Sequence, residues 1–361
     1  MKIDNKEGLE MKQVVEVPYV NVPLTKEVAA DLISADLDYK EAMSVNKIEE
    51  WFTAWGGQCH VNFSGGKDST VLCFITAKWL SLFKNPPYPL NIVFVNTGLE
   101  FPEIQLFVND YAKWLQNRFP SLTINLRRIR PQMNVRQVLT RHGYPIVSKR
   151  IAEIVYYGRK SPDSERGRLL RGEGLDKNGN KSKFNCQQWS FLKDAPFMVS
   201  SECCHIMKRH PIAQVNKTSA PMIATMASES MSRHMTWLKQ GCNAFEGREA
   251  VGKPMSFWTD QDVLAYIVKN EIPIAPVYGD IIEDDCGFQC SGCQRTGCIF
   301  CGFGVHREKG ENRFQLLRQT HPKHWNFCVN GGEFDTDGLW KPNEKGLGWG
   351  RVLDYIGVPS A

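Results

Sequence analysis

Ser64-Gly65-Gly66-Lys67-Asp68-Ser69 gathers in one short stretch what a bound phosphate group needs. Gly65 and Gly66 permit backbone geometry closed to other residues and let the chain approach a ligand closely. Lys67 adds a point charge, and Ser64 and Ser69 add hydroxyl donors. A helix opening here turns its unpaired N–H groups and positive dipole end toward an anion. The spacing differs from the Walker loop, which requires G-x-x-x-x-G-K-[ST]. Sulfur makes the second constellation. Cys290/Cys293 and Cys298/Cys301 form two C-x-x-C pairs, and Cys203 and Cys204 are adjacent. Two such pairs suggest zinc, although the gap between them is short for a ribbon and Fe–S sites use C-x-x-C as well. Adjacent cysteines do not easily share one metal ion, whereas a polymetallic cluster accepts both.

These residues need elements to position them. Residues 59–63 read as a short buried strand, and residues 67–80 set Val71, Leu72, Phe74, Ile75, Trp79 and Leu80 on one apolar helical face. Asn91–Gly98 is a second strand, so the spacing predicts a βαβ unit and a parallel sheet with a right-handed crossover. A helix with Pro102 in its first turn and a third strand, LTINLRRI, follow, and Thr259 caps a helix within residues 256–269. In a parallel sheet the carboxyl ends of adjacent strands line the ligand crevice. Asn96, Thr97 and Gly98 are therefore expected to face the same pocket as the glycine loop. The expected fold is α/β, a doubly wound parallel sheet with a Cys-rich C-terminal lobe. Its expected ranges are a lead-in over 1–45, a nucleotide-binding domain over 46–280 with a basic insertion at 158–185, and the Cys-rich lobe over 281–361.

At 361 residues the chain can bury a full α/β core, and 42% hydrophobic with 23% charged residues is ordinary for a globular protein. No apolar run reaches the roughly 20 residues needed to span a bilayer. The first residues, MKIDNKEGLEMKQVVE, lack the apolar core of a signal peptide, so a cytoplasmic protein without a membrane partner is expected. Twelve cysteines in such a chain point to metal or redox chemistry before disulfides. The formal charge is +5, and the segment from Lys149 to Lys183 alone, with ten Lys or Arg against five acids, carries that excess. Its RGEGLDKNGNKSK portion reads as an exposed, mobile loop. Such a segment serves either as a solvated face or as a flap over an anionic nucleotide or nucleic acid.

The Ser64–Ser69 stretch resembles the SGGKDS loop of the PP-loop ATP pyrophosphatase superfamily, whose fold is that of the adenine nucleotide alpha-hydrolases. NTGLEFPEI, Asn96 to Ile104, resembles the D-T-G-x-x-F-P-E-T signature of sulfonucleotide reductases, with Asn96 for Asp and Ile104 for Thr. CCHIMKRHPI resembles their C-C-x-x-R-K-x-x-P segment, with Lys208 and Pro211 in step and Met207 in place of Arg. IATMASESMSRHMTW resembles G-x-R-x-x-E-S-x-x-R: Glu229, Ser230 and Arg233 match, while Ala224 and Met226 stand for Gly and Arg. Trp258, Asp262, Tyr266, Pro273 and Tyr278 continue the likeness in order. Together these motifs, from about residue 58 to about 306, resemble the phosphoadenylyl-sulfate (PAPS) reductase family.

The resemblance implies an adenine nucleotide, ATP or a sulfonucleotide, bound by Ser64, Gly65, Gly66, Lys67, Asp68, Ser69, Asn96, Thr97, Gly98, Glu229 and Arg233. It implies a four-iron four-sulfur cluster on Cys203, Cys204, Cys298 and Cys301, near the nucleotide's reactive group. Zinc on Cys290, Cys293, Cys298 and Cys301 is the alternative set. Catalytic roles are expected for Lys67, Asp68, Arg233 and Cys293, the last as a thiol or persulfide carrier. Three activities follow as expectations. In ATP-dependent sulfur transfer, ATP adenylates an oxygen-bearing carbon or phosphate, and sulfur from the cluster or a persulfide displaces AMP. In sulfonucleotide reduction, a thiolate attacks the sulfonucleotide sulfur and a thiol donor releases sulfite. Those reductases use a Cys in a C-G-x-H segment, which CGFGVH at 301–306 matches poorly. A nucleotide-sensing regulator without turnover is the third. The partners implied are a sulfur donor or thiol reductant protein, and a nucleic acid substrate through the basic segment.

Overall fold

The computed structural model describes residues 20–246 and 250–361. The start of the lead-in and the reading of a missing signal peptide lie outside the described residues. In chain order, helices α1 (Lys26–Ser34) and α2 (Leu37–Ala54) precede strand β1 (Cys59–Asn62) and helix α3 (Lys67–Ser81). Strand β2 (Leu90–Val95), helix α4 (Pro102–Arg118) and strand β3 (Ile124–Ile129) follow. Among the described residues, no helix is long and apolar enough to cross a membrane.

Packing divides the chain into two units whose segments interleave. The first comprises 1–96, 101–129 and 212–296; the second comprises 97–100, 130–211 and 297–361. This division runs differently from the ranges 46–280 and 281–361, because hairpin Ile281–Asp284/Gly287–Cys290 packs with the first unit while Gly297 onward packs with the second.

The first unit is built on a six-stranded sheet in the order β3, β2, β1, Ala220–Met222, Val251–Gly252, Asn243–Ala244. All neighbours are parallel except the last pair. Val61 is in register with both Ile92 and Met222. The chain winds outward from β1 to β3, then returns to the other side of β1, so the order reverses beside β1. Ligands of open α/β sheets bind outside the strand carboxyl ends at such a reversal. β1 ends at Asn62, directly before the glycine loop. The α/β class and the parallel sheet therefore stand as expected.

The apolar face read on α3 is buried, but so are Lys67, Ser69, Thr70, Cys73, Thr76 and Ala77. The helix is enclosed nearly all round, covered by α2 and by helix Asp260–Lys269. Thr259 caps that helix, its side chain accepting from the Asp262 amide. Asp262 in turn takes a salt bridge of 2.7 Å from Lys40, whose side chain is only 2% exposed.

The second unit is mainly helical, with a short parallel ladder joining Ile146–Val147 to Gly302–Phe303. Tyr144 packs edge-on against Phe197 and Trp349, all three fully buried. The tail beyond 297 holds more regular structure than its weak periodicity suggests: helices Arg313–Thr320, Pro322–Val329 and Trp349–Tyr355. Within Lys149–Lys183, helices Lys149–Lys160 and Glu165–Arg171 lead into the portion expected as a loop, which beyond Arg171 has no helix or ladder strand. Its Gly-rich part is exposed yet hydrogen-bonded. Asp176 accepts from the amides of Asn178 and Asn180, and Asn185 pairs both ways with Gly174. Short polar side chains there satisfy the backbone that periodicity cannot place.

Candidate functional site

The glycine loop closes on itself through its own hydroxyls. Ser69 Oγ accepts from the Ser64 amide at 3.2 Å and donates to the Gly66 carbonyl at 2.9 Å. Thr70 Oγ1 donates to the same carbonyl, and Ser64 Oγ accepts from the Gly66 amide. Gly65 takes φ +72°, and a Cβ there would lie 2.7 Å from Ile104 Cγ2, so sterics demand glycine. Lys67, the first residue of α3, is 7% exposed, and its ammonium lies 5.5 Å from the Tyr278 ring centroid.

The strand on the other side of β1, Ala220–Met222, leads to a 3-10 turn, Ala227–Glu229. Ser230 then caps helix Met231–Gln240, which places Arg233 in its first turn. The Glu229 carboxylate is ion-paired to two guanidiniums: Arg233 on one oxygen, and Arg295 on the other at 2.9 Å. A cavity of about 210 Å³ joins Ser64, Gly66, Lys67, Asp68, Glu229 and Arg295. Asp68 has its carboxyl held above the ordinary range, chiefly by burial and then by Asp260, against the pull of Lys67, Arg295 and Arg233. The Arg233 guanidinium is pushed below its ordinary value by burial and by Arg295. This is a crevice of closely spaced opposite charges at the switch point, able to hold anionic oxygens.

The structure thus assembles Ser64, Gly66, Lys67, Asp68 and Glu229 around one cavity, with Arg233 beside it. Ser69 supports the loop from within. Asn96 follows β2, its amide donating to the Ile129 carbonyl and its side chain to Gln105. Thr97 and Gly98 fall in the second unit, where the Thr97 hydroxyl donates to Glu100 at 2.6 Å. Sequence reasoning did not single out Arg295, Thr296 and Asp260. Their only signal was position: Asp260 opens a capped helix, and Arg295 and Thr296 fill the gap between two cysteine pairs.

Cys290 and Cys293 are neighbours in the first unit. Burial raises both thiols; Lys67 opposes the rise at Cys290, while Glu103 and Cys290 add to it at Cys293. Cys293 does not line the cavity described above.

In the second unit, Cys203 and Cys204 lie on the turn Glu202–Cys204, which runs into a π-helical turn, His205–Arg209. Cys298 and Cys301 bracket a tight turn closed by the Cys301 amide on the Cys298 carbonyl, 3.1 Å. These two segments, far apart in sequence, meet: Cys203, Cys204, Cys298 and Cys301 line one small cavity of about 20 Å³ together with Lys208 and Trp349. Its exposed lining is almost wholly apolar. Burial holds the Cys203 thiol far above its ordinary value, with Cys298, Cys204 and Cys301 adding to the effect. Burial pushes Cys298 up to about 11, against the Lys208 ammonium that bonds to it. Trp349 is fully buried, and its indole N–H has no acceptor among the described residues. Among the described residues, no three His, Cys, Asp or Glu side chains are grouped to hold a single metal ion. The alternative set Cys290, Cys293, Cys298 and Cys301 is divided between the two units.

The sequence profile of the phosphoadenosine phosphosulfate reductase domain matches residues 58–147 and 170–302, more than half the chain. The chain belongs to the phosphoadenosine phosphosulfate reductase family. A "phosphoadenosine 5'-phosphosulfate reductase" of Gloeobacter violaceus is 31% identical over 98 residues, 27% of this chain and 37% of that relative's length. The chain therefore matches little more than a third of that relative. A Candida auris phosphoadenylyl-sulfate reductase structure aligns over 74% of this chain and 99% of its own, at 14% identity and TM-score 0.33. A Candida glabrata FMN adenylyltransferase structure with FMN and an ATP analogue aligns over 70% and 67%, at 12% identity and TM-score 0.35.

Proposed function

We propose that this family member is an enzyme of sulfur metabolism that binds an adenine nucleotide on the Ser64–Ser69 loop and performs ATP-dependent sulfur transfer. The observation that carries the reading is the cavity at the sheet's switch point, where Gly66, Lys67 and Arg295 face one space. The loop's amides and Lys67 hold phosphate, Arg233 and Arg295 orient its oxygens, and Asp68 sits among them. Cys293 is the proposed thiol for sulfur carriage, and Asn96 is a proposed nucleotide contact.

In the second unit, Cys203, Cys204, Cys298 and Cys301 are proposed to hold a four-iron four-sulfur cluster. The fit rests on the donors themselves. Cys203, Cys204, Cys298 and Cys301 ring one apolar room, where Lys208 already bonds Cys298 and the Trp349 N–H has no acceptor among the described residues. Such a cluster supplies electron transfer or a soft site for sulfur. This chain's residues hold and shield it.

Sulfonucleotide reduction is the second reading, favoured by the likeness to the Gloeobacter phosphoadenosine 5'-phosphosulfate reductase. Against it stands Cys301, the cysteine of CGFGVH, which lies in the four-cysteine cavity rather than free as a nucleophile. No nucleic acid substrate is included, because the matching family domain and the switch-point cavity point to a mononucleotide. A thiol or sulfur-donor protein is the partner this chemistry calls for. Anaerobic protein given ATP, a sulfide source and a pool of oxygen-bearing acceptors should adenylate an acceptor and release pyrophosphate, then AMP as sulfur displaces it. Sulfite from a sulfonucleotide, with no pyrophosphate from ATP, would establish the reductase reading instead, and nucleotide binding with neither product the sensor.

A further inference from the structure

We propose that Arg295, on the stretch between the two C-x-x-C pairs, grips the terminal phosphates of a bound nucleoside triphosphate together with Arg233. The inference rests on the reading that the Ser64–Ser69 loop binds nucleotide, and it specifies which nucleotide. Arg295 brings to the Glu229 carboxylate a second guanidinium besides that of Arg233, from a distant part of the sequence.

Three observations place Arg295 in the site. Its guanidinium is 2.9 Å from Glu229, the carboxylate that also holds Arg233. Its neighbour Thr296 is hydrogen-bonded to Tyr278 at 2.6 Å. A Cβ on Gly66 would lie 3.4 Å from that Tyr278 hydroxyl and 3.7 Å from Thr296 Oγ1, so the stretch packs directly over the glycine loop. On its other side, the Gln294 side chain donates through Nε2 to the Cys290 carbonyl at 2.5 Å. The side chain itself is 61% exposed and can turn toward a ligand.

The electrostatics say what Arg295 awaits. One carboxylate sits between two guanidiniums, which repel one another, as the lowering of Arg233 by Arg295 reflects. An arriving anion relieves that repulsion, and each guanidinium offers a planar fork matched to phosphate oxygens. The glycine loop with Lys67 already accounts for one phosphate group. The guanidinium pair provides for a second, which a monophosphate lacks.

The test compares equilibrium binding of ATP, AMP and adenosine 3',5'-bisphosphate to wild-type protein and to Arg295→Gln, Arg295→Lys and Lys67→Ala. Arg295→Gln should weaken ATP at least tenfold and leave AMP within twofold, and Arg295→Lys should recover part of the loss. Equal weakening of ATP and AMP, or loss confined to the bisphosphate, would overturn the assignment to terminal phosphates. ATP binding that Lys67→Ala abolishes and Arg295→Gln leaves intact would overturn the role of Arg295 alone. ATP binding unaffected by Lys67→Ala would sink the underlying nucleotide reading instead. A urea midpoint unchanged in Arg295→Gln separates lost binding from lost fold.

Discussion

Replacing Gly65 by Ala tests whether the glycine loop has the tight geometry ascribed to it. The substitution imposes two distinct costs. At φ +72° an L-residue with a Cβ is strained, by roughly 1–2 kcal/mol. The new methyl would also lie 2.7 Å from Ile104 Cγ2. Ile104 is 1% exposed on α4 and has little room to yield, so overpacking adds roughly 1–3 kcal/mol. The expected total is about 2–5 kcal/mol in urea unfolding. Gly98, with the same φ of +72° and nothing within 4 Å of its virtual Cβ, serves as the control. Gly98→Ala should cost only the backbone part, about 1–2 kcal/mol. Ile104→Ala removes the clashing methyl, so in that background Gly65→Ala should also fall to about 1–2 kcal/mol. The double-mutant cycle then returns a coupling of about 1–3 kcal/mol. Zero coupling, or a Gly65→Ala cost no greater than that of Gly98→Ala, would refute the steric argument.

Lys67→Ala should weaken ATP by about 1.5–3 kcal/mol, the range of a charged hydrogen bond, and calorimetry showing unchanged affinity would remove Lys67 from the site. His60 is 1% exposed, and burial lowers its pKa from 6.5 to about 4, while Ser219 and Asn62 bond its two ring nitrogens. The unfolded chain therefore binds the extra proton between pH 4 and 6.5, so stability is complete above pH 6.5 and falls by about 3 kcal/mol as pH drops to 4. His60→Gln should flatten that slope by about one proton, and an equal slope in both proteins would disprove the assignment. Lys40→Met takes the ammonium from Asp262, whose carboxylate keeps its bonds from Thr259, and should cost about 1.5–3 kcal/mol. A melting temperature unchanged by Lys40→Met would show the pair to be structurally idle.

The parts legible in the sequence were those whose signal is local. β1, the glycine turn and α3 follow from a β-branched run, two glycines and helical spacing within a few residues of one another. The capped helix at Thr259 is legible for the same reason. The strands that complete the sheet are not: Val251–Gly252 and Asn243–Ala244 are two residues each, too short to show any period. Nor does sequence show that Lys40 reaches Asp262 or that Arg295 reaches Glu229, since long-range ion pairs leave no local pattern. The RGEGLDKNGNKSK portion was legible as an exposed loop from its Gly, Asn and Lys content, but not the Asp176 and Asn185 side-chain bonds that shape it. The meeting of Cys203 and Cys204 with Cys298 and Cys301 was anticipated through family resemblance, not through spacing.

Iron, zinc and acid-labile sulfide analysis of anaerobically purified protein, read beside its visible absorption, tests the proposed four-cysteine centre most directly. Wild-type protein should be brown and carry about four irons with matching sulfide per chain, and Cys298→Ser should lose both colour and iron. Colourless wild-type protein with stoichiometric zinc, lost on substituting Cys290 or Cys293, would contradict the cluster on Cys203, Cys204, Cys298 and Cys301.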